Sequence, residues 1–120
     1  MSEARIVLGS VHAPPEDPLP RLLTTRRWPA GIDRRAVDQW EPDLAPSVAL
    51  EAARDAGALD PATFEARYRE ELAGRANLVA WAARMAAGTG VVLLGEAADE
   101  TACHRAVLAA VIRERLSGAS

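Results

Sequence analysis

The residues with the most chemical promise lie in Glu96-Ala97-Ala98-Asp99-Glu100-Thr101-Ala102-Cys103-His104-Arg105, an acidic loop that runs into a helix start directly after an apolar strand. In open α/β sheets, ligands bind beyond the carboxyl ends of strands, which makes Glu96, Asp99 and Arg105 candidate ligand contacts. A cysteine in the first turn of a helix sits at the positive end of the helix dipole, which lowers its pKa and raises its thiolate content. Cys103 is therefore a candidate nucleophile, with His104 beside it as a candidate for proton transfer. Helix neighbours point about 100° apart, so adjacency alone does not make the two a nucleophile and base. Arg105 is a cation near a helix N-terminus, unfavourable by roughly 0.3–1 kcal/mol, and calls for Glu96, Asp99, Glu100 or a bound anion as partner. The competing reading is packing. Cys103, Val107 and Val111 form one i, i+4 row, and His104, Leu108, Ile112 and Leu116 form the next.

A second cluster lies upstream. Residues 21–35 carry five arginines, Arg21, Arg26, Arg27, Arg34 and Arg35, against one acid, Asp33. Arg26 is the candidate anion contact there, with Trp28 as a stacking wall for a phosphate or carboxylate ligand. The alternative is a solvated basic face paired to the protein's own acids. Nucleic acid is disfavoured as a partner, because the chain is acidic overall and the patch holds a single aromatic residue and no recognised motif. Glu65, Arg67, Arg69, Glu70 and Glu71 read as an exposed helix face with i, i+4 pairs.

These residues sit in a chain of 120 residues and 12.8 kDa, with net charge -3 and pI about 5.4. All 14 basic residues are arginine and 26 positions are alanine, a bias that fits a GC-rich genome. The length suits a single domain over residues 1–120, ordered over about 5–116. A hydrophobic content of 49% with only five aromatic residues implies an aliphatic, alanine-rich core. No secretory signal or membrane span is visible, so cytoplasmic residence is expected. Cys103 is the lone cysteine, and His12 and His104 lie far apart, so neither a metal nor a cofactor is expected.

The elements that must position the candidates follow from pattern and punctuation. Residues 5–12 are a β-branched run before Pro14-Pro15 and predict a strand. Residues 21–26 predict a second, ended by Pro29 and Gly31. Asp33 can cap a short helix to about Trp40, and 41–45 fit either a strand or a loop. Ser47 opens a helix that stops near Gly57. Asp60-Pro61 is a strong helix start; Phe64, Tyr68 and Leu72 line that helix, and Gly74 interrupts it. Leu78, Trp81, Ala82 and Met85 continue the helical stripe to about Ala87. Val91–Gly95 is continuously apolar, as expected of a strand covered on both faces. Asp99 can cap a last helix to about 116. The pattern predicts an α/β fold: a small, mostly parallel sheet of three or four strands flanked by about five helices in three α/β/α layers.

Several motifs then resemble a known family. Arg21-Leu22-Leu23-Thr24-Thr25-Arg26-Arg27-Trp28-Pro29-Ala30-Gly31 is similar to the R-x-L-V-D-R-x-W-P-R-G signature of the YeaO-like proteins, the domain of unknown function numbered 488. Trp40 to Ser47 is similar to the family's W-x-x-D-L-A-P-S, and Phe64 to Leu72 to its F-x-x-R-Y-x-x-E-L. Cys103-His104-Arg105 resembles the C-H-R of longer relatives. The resemblance implies a compact bacterial or archaeal α/β domain and carries no established activity. Among the departures from the pattern, Thr25 replaces the signature aspartate, Ala30 the signature arginine, and Gly95 a cysteine that longer relatives often place at the end of the last strand.

Two functional expectations follow. The favoured one is a non-catalytic interaction or accessory module, because the signature acid and arginine are missing; Trp28, Trp40 and Trp81 would then offer a surface for a protein partner or a homodimer. The alternative is an enzyme-like pocket for a small anion at the strand ends, built from Arg26, Trp28, Cys103 and His104.

Overall fold

The computed structural model describes residues 4–14, 18–96 and 104–118. Four strands, β1 (Ile6–Ser10), β2 (Arg21–Leu23), β3 (Gln39–Trp40) and β4 (Val91–Gly95), pair in parallel in the order β1-β4-β2-β3. The apolar run Val91–Gly95 is thus an inner strand, and all five of its residues are buried. Strand alternation sorts its side chains between two clusters. Val91 and Leu93 join Leu22 on one face; Val92 and Leu94 join Leu23 on the other.

Four α-helices supply the first face: α1 (Val48–Asp55), α2 (Pro61–Ala73), α3 (Ala76–Gly88) and α4 (His104–Leu116). Their starts follow the local signals. The Ser47 hydroxyl caps α1 by accepting from the Leu50 N–H, and the Asp60 carboxylate caps α2 by accepting from Thr63, with Pro61 at the first helical position. Gly57 closes the turn after α1 at φ 75°, a left-handed conformation in which a side chain is strained. The buried line of α3 is Val79, Ala82, Ala83 and Ala86, with Leu78, Trp81 and Met85 packed at its margin. Small residues on that line let α3 approach its neighbours closely.

The second face is covered differently. Leu19, Trp28, Ile32, Val37 and Trp40 pack over Leu23, Val92 and Leu94. The outer layer there is the 18–40 segment, with a single 3-10 turn at Arg34–Ala36, in place of full helices. Among the described residues, four α-helices and two 3-10 turns therefore stand where about five helices were expected. The helix expected from Asp33 to Trp40 stops after one turn because Asp38 is drawn to the sheet. Its carboxylate accepts from the Arg21 N–H at 2.8 Å, and its own N–H donates to the Arg21 carbonyl at 2.9 Å. That pair seeds β3, and residues 42–44 form a second 3-10 turn instead of a strand. Strand β2 ends at Leu23 rather than Arg26, because the Thr25 carbonyl turns away to accept from Trp40 Nε1 at 2.8 Å.

This wiring places a crevice. The chain leaving β2 crosses to the face of Trp28 and Ile32, whereas α4, which follows β4, lies on the helical face. Adjacent strands whose connections part to opposite faces open a gap at their carboxyl ends, the usual ligand position in parallel sheets.

Candidate functional site

The gap is a crevice of about 490 Å³, within the size range of small-molecule pockets. Thr25, Arg26 and Arg27 line it after β2, and Gly95 and Glu96 at the end of β4. Helix α1 turns one face to it, Val48, Glu51, Ala52 and Asp55, spaced i, i+3, i+4, i+7, with Arg54 alongside. His104 and Arg105 line it from α4.

His104 ties α4 to the sheet. Its Nε2 lies 2.7 Å from the Thr24 carbonyl and 3.1 Å from the Thr24 hydroxyl. That hydroxyl donates its own proton to the Leu94 carbonyl at 2.9 Å. The Nε2 nitrogen must therefore carry the hydrogen and donate. Burial, together with the nearby Arg54 and Arg105 cations, pushes the imidazole pKa down from 6.5 to about 4, against the opposing pull of the Thr24 hydrogen bond. The ring is neutral at pH 7 and its Nε2 proton is committed.

Arg105 is 1% exposed, and its guanidinium donates to the Gly9 carbonyl in β1. Gly95 makes room for it: a Cβ at that position would lie 2.9 Å from Arg105 Nε and 3.0 Å from Cδ. The space that a side chain at position 95 would take is occupied here by Arg105.

Arg26, the favoured anion contact from sequence, is placed as a brace. Its guanidinium pairs with Asp43 at 3.0 Å and donates to the carbonyls of Ala45 and Pro46 at 3.1–3.3 Å. It holds the 43–46 turn that delivers Ser47 to the start of α1. Replacing it with alanine strips donors from two buried carbonyls. Arg26→Ala is expected to lower stability by roughly 1–3 kcal/mol, measurable as a reduced midpoint in urea unfolding.

Trp28 does not reach the crevice. Its indole N–H donates to the Ile32 carbonyl at 3.0 Å, and its ring meets Trp40 edge-on in the second core. Glu96 does line the crevice, exposed and 3.9 Å from His12 Nε2. Cys103 and Asp99 lie outside the described residues. The structure thus brings Arg26, Glu96, His104 and Arg105 to one crevice and leaves Trp28 on the other face.

Among the lining residues that sequence reasoning did not single out as ligand contacts are Arg27 and Glu51. Arg27 is exposed, and it is the one lining arginine whose side chain makes no hydrogen bond or ion pair among the described residues; Arg54 pairs with Asp55 and stacks over Phe64. Glu51 is half-buried on α1. Burial raises its carboxyl pKa above the ordinary value, against the pull of Arg54, Arg26 and Arg27. The local signal for Glu51 is the i, i+3, i+4, i+7 face of α1; what that face meets is not written locally.

Among the described residues, no cluster of histidine, cysteine and carboxylate side chains gathers that could hold a metal. No helix among them is long and apolar enough to cross a membrane. A family model described as the active DUF488-N3 subclade matches residues 6–116. The protein YeaO of Escherichia coli K12, described as uncharacterized, is 35% identical over 95 residues, which cover 78% of this chain and 83% of YeaO. No solved structure matches the chain.

Proposed function

The chain belongs to the YeaO-like DUF488 family, and from that premise we propose that it binds a small anionic molecule in the crevice between the carboxyl ends of β2 and β4. The observation that carries this reading is Arg27. Arg26, Arg54 and Arg105 each hold part of the fold, whereas Arg27 lines the crevice with no side-chain hydrogen bond or ion pair among the described residues. An exposed guanidinium at the end of a parallel strand is well suited to a phosphate or carboxylate, which it can meet through paired hydrogen bonds.

The reading is one of binding. His104 holds its proton against Thr24 and is neutral at pH 7, so it offers the ligand no charged imidazole. The two departures from the family signature also carry different weight. Thr25 lines the crevice and closes its turn by donating to the Arg27 carbonyl at 2.7 Å, whereas Ala30 is exposed and outside the lining. Loss of the signature acid alters the crevice; loss of the signature arginine does not touch it.

Titration of the protein with inorganic phosphate at low salt, followed by backbone amide shifts, tests the reading. The shifts are expected at Thr25–Arg27, along the Val48–Asp55 helix and at Glu96. Arg27→Ala should weaken binding roughly tenfold, about 1.4 kcal/mol, while Arg34→Ala, whose side chain stacks on Trp28 on the other face, should leave it unchanged. No shift in the wild type, or equal binding by Arg27→Ala, overturns it.

A further inference from the structure

We infer that Glu51 is the second ligand contact in this crevice, and that the ligand therefore carries an O–H or N–H donor beside its anionic group; this rests on the crevice being an anion site. A half-buried carboxylate loses hydration and normally recovers it through a partner. The other half-buried carboxylates among the described residues do so. Glu41 accepts from Gln39, Glu65 from Arg69, and Glu71 from the Ser47 hydroxyl and N–H. Glu51 makes no such bond among the described residues.

Partners are within electrostatic reach. Arg26 and Arg27 face Glu51 from the chain after β2, and Arg54 and Asp55 from its own helix. Gly95, Glu96, His104 and Arg105 line the crevice from β4 and α4. Arg26 is held by Asp43 and Arg54 by Asp55 and the Phe64 ring, and Arg27 does not close on Glu51. One cation and one carboxyl of opposite sign are thus held apart in the same crevice. A carboxyl kept partly dehydrated and unpaired in a cleft is characteristic of a working site, and the upward shift of its pKa agrees with that.

A bare anion satisfies Arg27 but sets like charge beside Glu51. A molecule with a phosphate or carboxylate at one end and a hydroxyl or amine within reach satisfies both. Val48 and Ala52 line the same crevice and offer apolar contact for the carbon frame that joins the two ends.

Propyl phosphate and glycerol 3-phosphate separate the two contacts, since they share the anionic group and differ by two hydroxyls. At pH 8 the wild type is expected to bind glycerol 3-phosphate roughly tenfold more tightly than propyl phosphate. Glu51→Ala should erase that preference without weakening propyl phosphate, and Glu51→Gln, which keeps an acceptor oxygen, should retain part of it. Equal affinity for the two probes in the wild type overturns the role of Glu51 while leaving the anion site in place. Persistence of the preference in a folded Glu51→Ala protein does the same. Failure of both probes and of inorganic phosphate to bind overturns the anion site and this inference together.

Discussion

Gly95→Ala is expected to destabilise the protein by roughly 1–3 kcal/mol, the range for forcing one extra methyl group into a filled interior. Position 95 ends the buried strand β4, and the added Cβ would meet Arg105 at 2.9 Å from Nε, 3.0 Å from Cδ and 3.2 Å from Cζ. Real carbon atoms do not sit that close, so something has to move. Arg105 cannot swing into water cheaply, being 1% exposed and bonded to the Gly9 carbonyl in β1. If the guanidinium shifts, that buried carbonyl loses a charged donor; if the strand shifts, its pairing with β1 and β2 suffers. Gly88→Ala is the matched control. A Cβ at that helical position meets nothing within 4 Å, and alanine favours helix over glycine by up to about 1 kcal/mol. Urea unfolding of both variants should give opposite signs. In an Arg105→Ala background the cost of Gly95→Ala should largely vanish, because the atoms it strikes are gone. An equal cost in both backgrounds would refute the account.

Acid should destabilise the protein through His104. The imidazole titrates at 6.5 in the unfolded chain and at about 4 in the native state. Above about pH 6.5 both states are neutral and nothing is lost. As pH falls toward 4, the unfolded chain takes up a proton that the native state refuses, so stability falls. Below that, both states are protonated and the loss levels off. The gap between the two values corresponds to roughly 3 kcal/mol, most of it in effect by pH 4.5. Urea unfolding at pH 7 and pH 4.5 measures the total, and the same comparison in His104→Gln removes the share that belongs to this ring. A nuclear magnetic resonance titration of the imidazole should place its midpoint near 4. A midpoint near 6.5, or an unchanged pH slope in His104→Gln, would contradict the burial and the Thr24 bond that the prediction rests on.

Both predictions concern residues whose neighbours lie far away in the chain, and that separation explains what was legible beforehand. The starts of α1 and α2 were readable because Ser47 and Asp60 act on N–H groups three residues ahead. The inner strand was readable because Val91–Gly95 is apolar throughout. Local chemistry does not separate the roles of Arg26 and Arg27, although only Arg26 matches an arginine of the signature. They are adjacent and chemically identical, yet one braces the 43–46 turn and the other faces the crevice. Trp28 reads as a pocket wall because it follows them in sequence, but the chain crosses the end of the sheet there and packs the half-buried indole against the other core. Glu51 had no signal beyond its helix face. Its significance depends on Arg27 and on the walls contributed by β4 and α4.

What the chain determined by itself is therefore its elements and its class. Caps, apolar periods and glycine turns act over a few residues, within reach of local hydrogen bonds and rotamers. Family membership also lay in linear order, because motifs are read along the chain. The tertiary structure alone decided the site. Placing β4 between β1 and β2, with the chain after β2 on one face and α4 on the other, set which arginines met carbonyls and which met open space. Charges choose partners by distance in three dimensions, so the uncommitted pair, Arg27 and Glu51, exists only once the sheet is assembled.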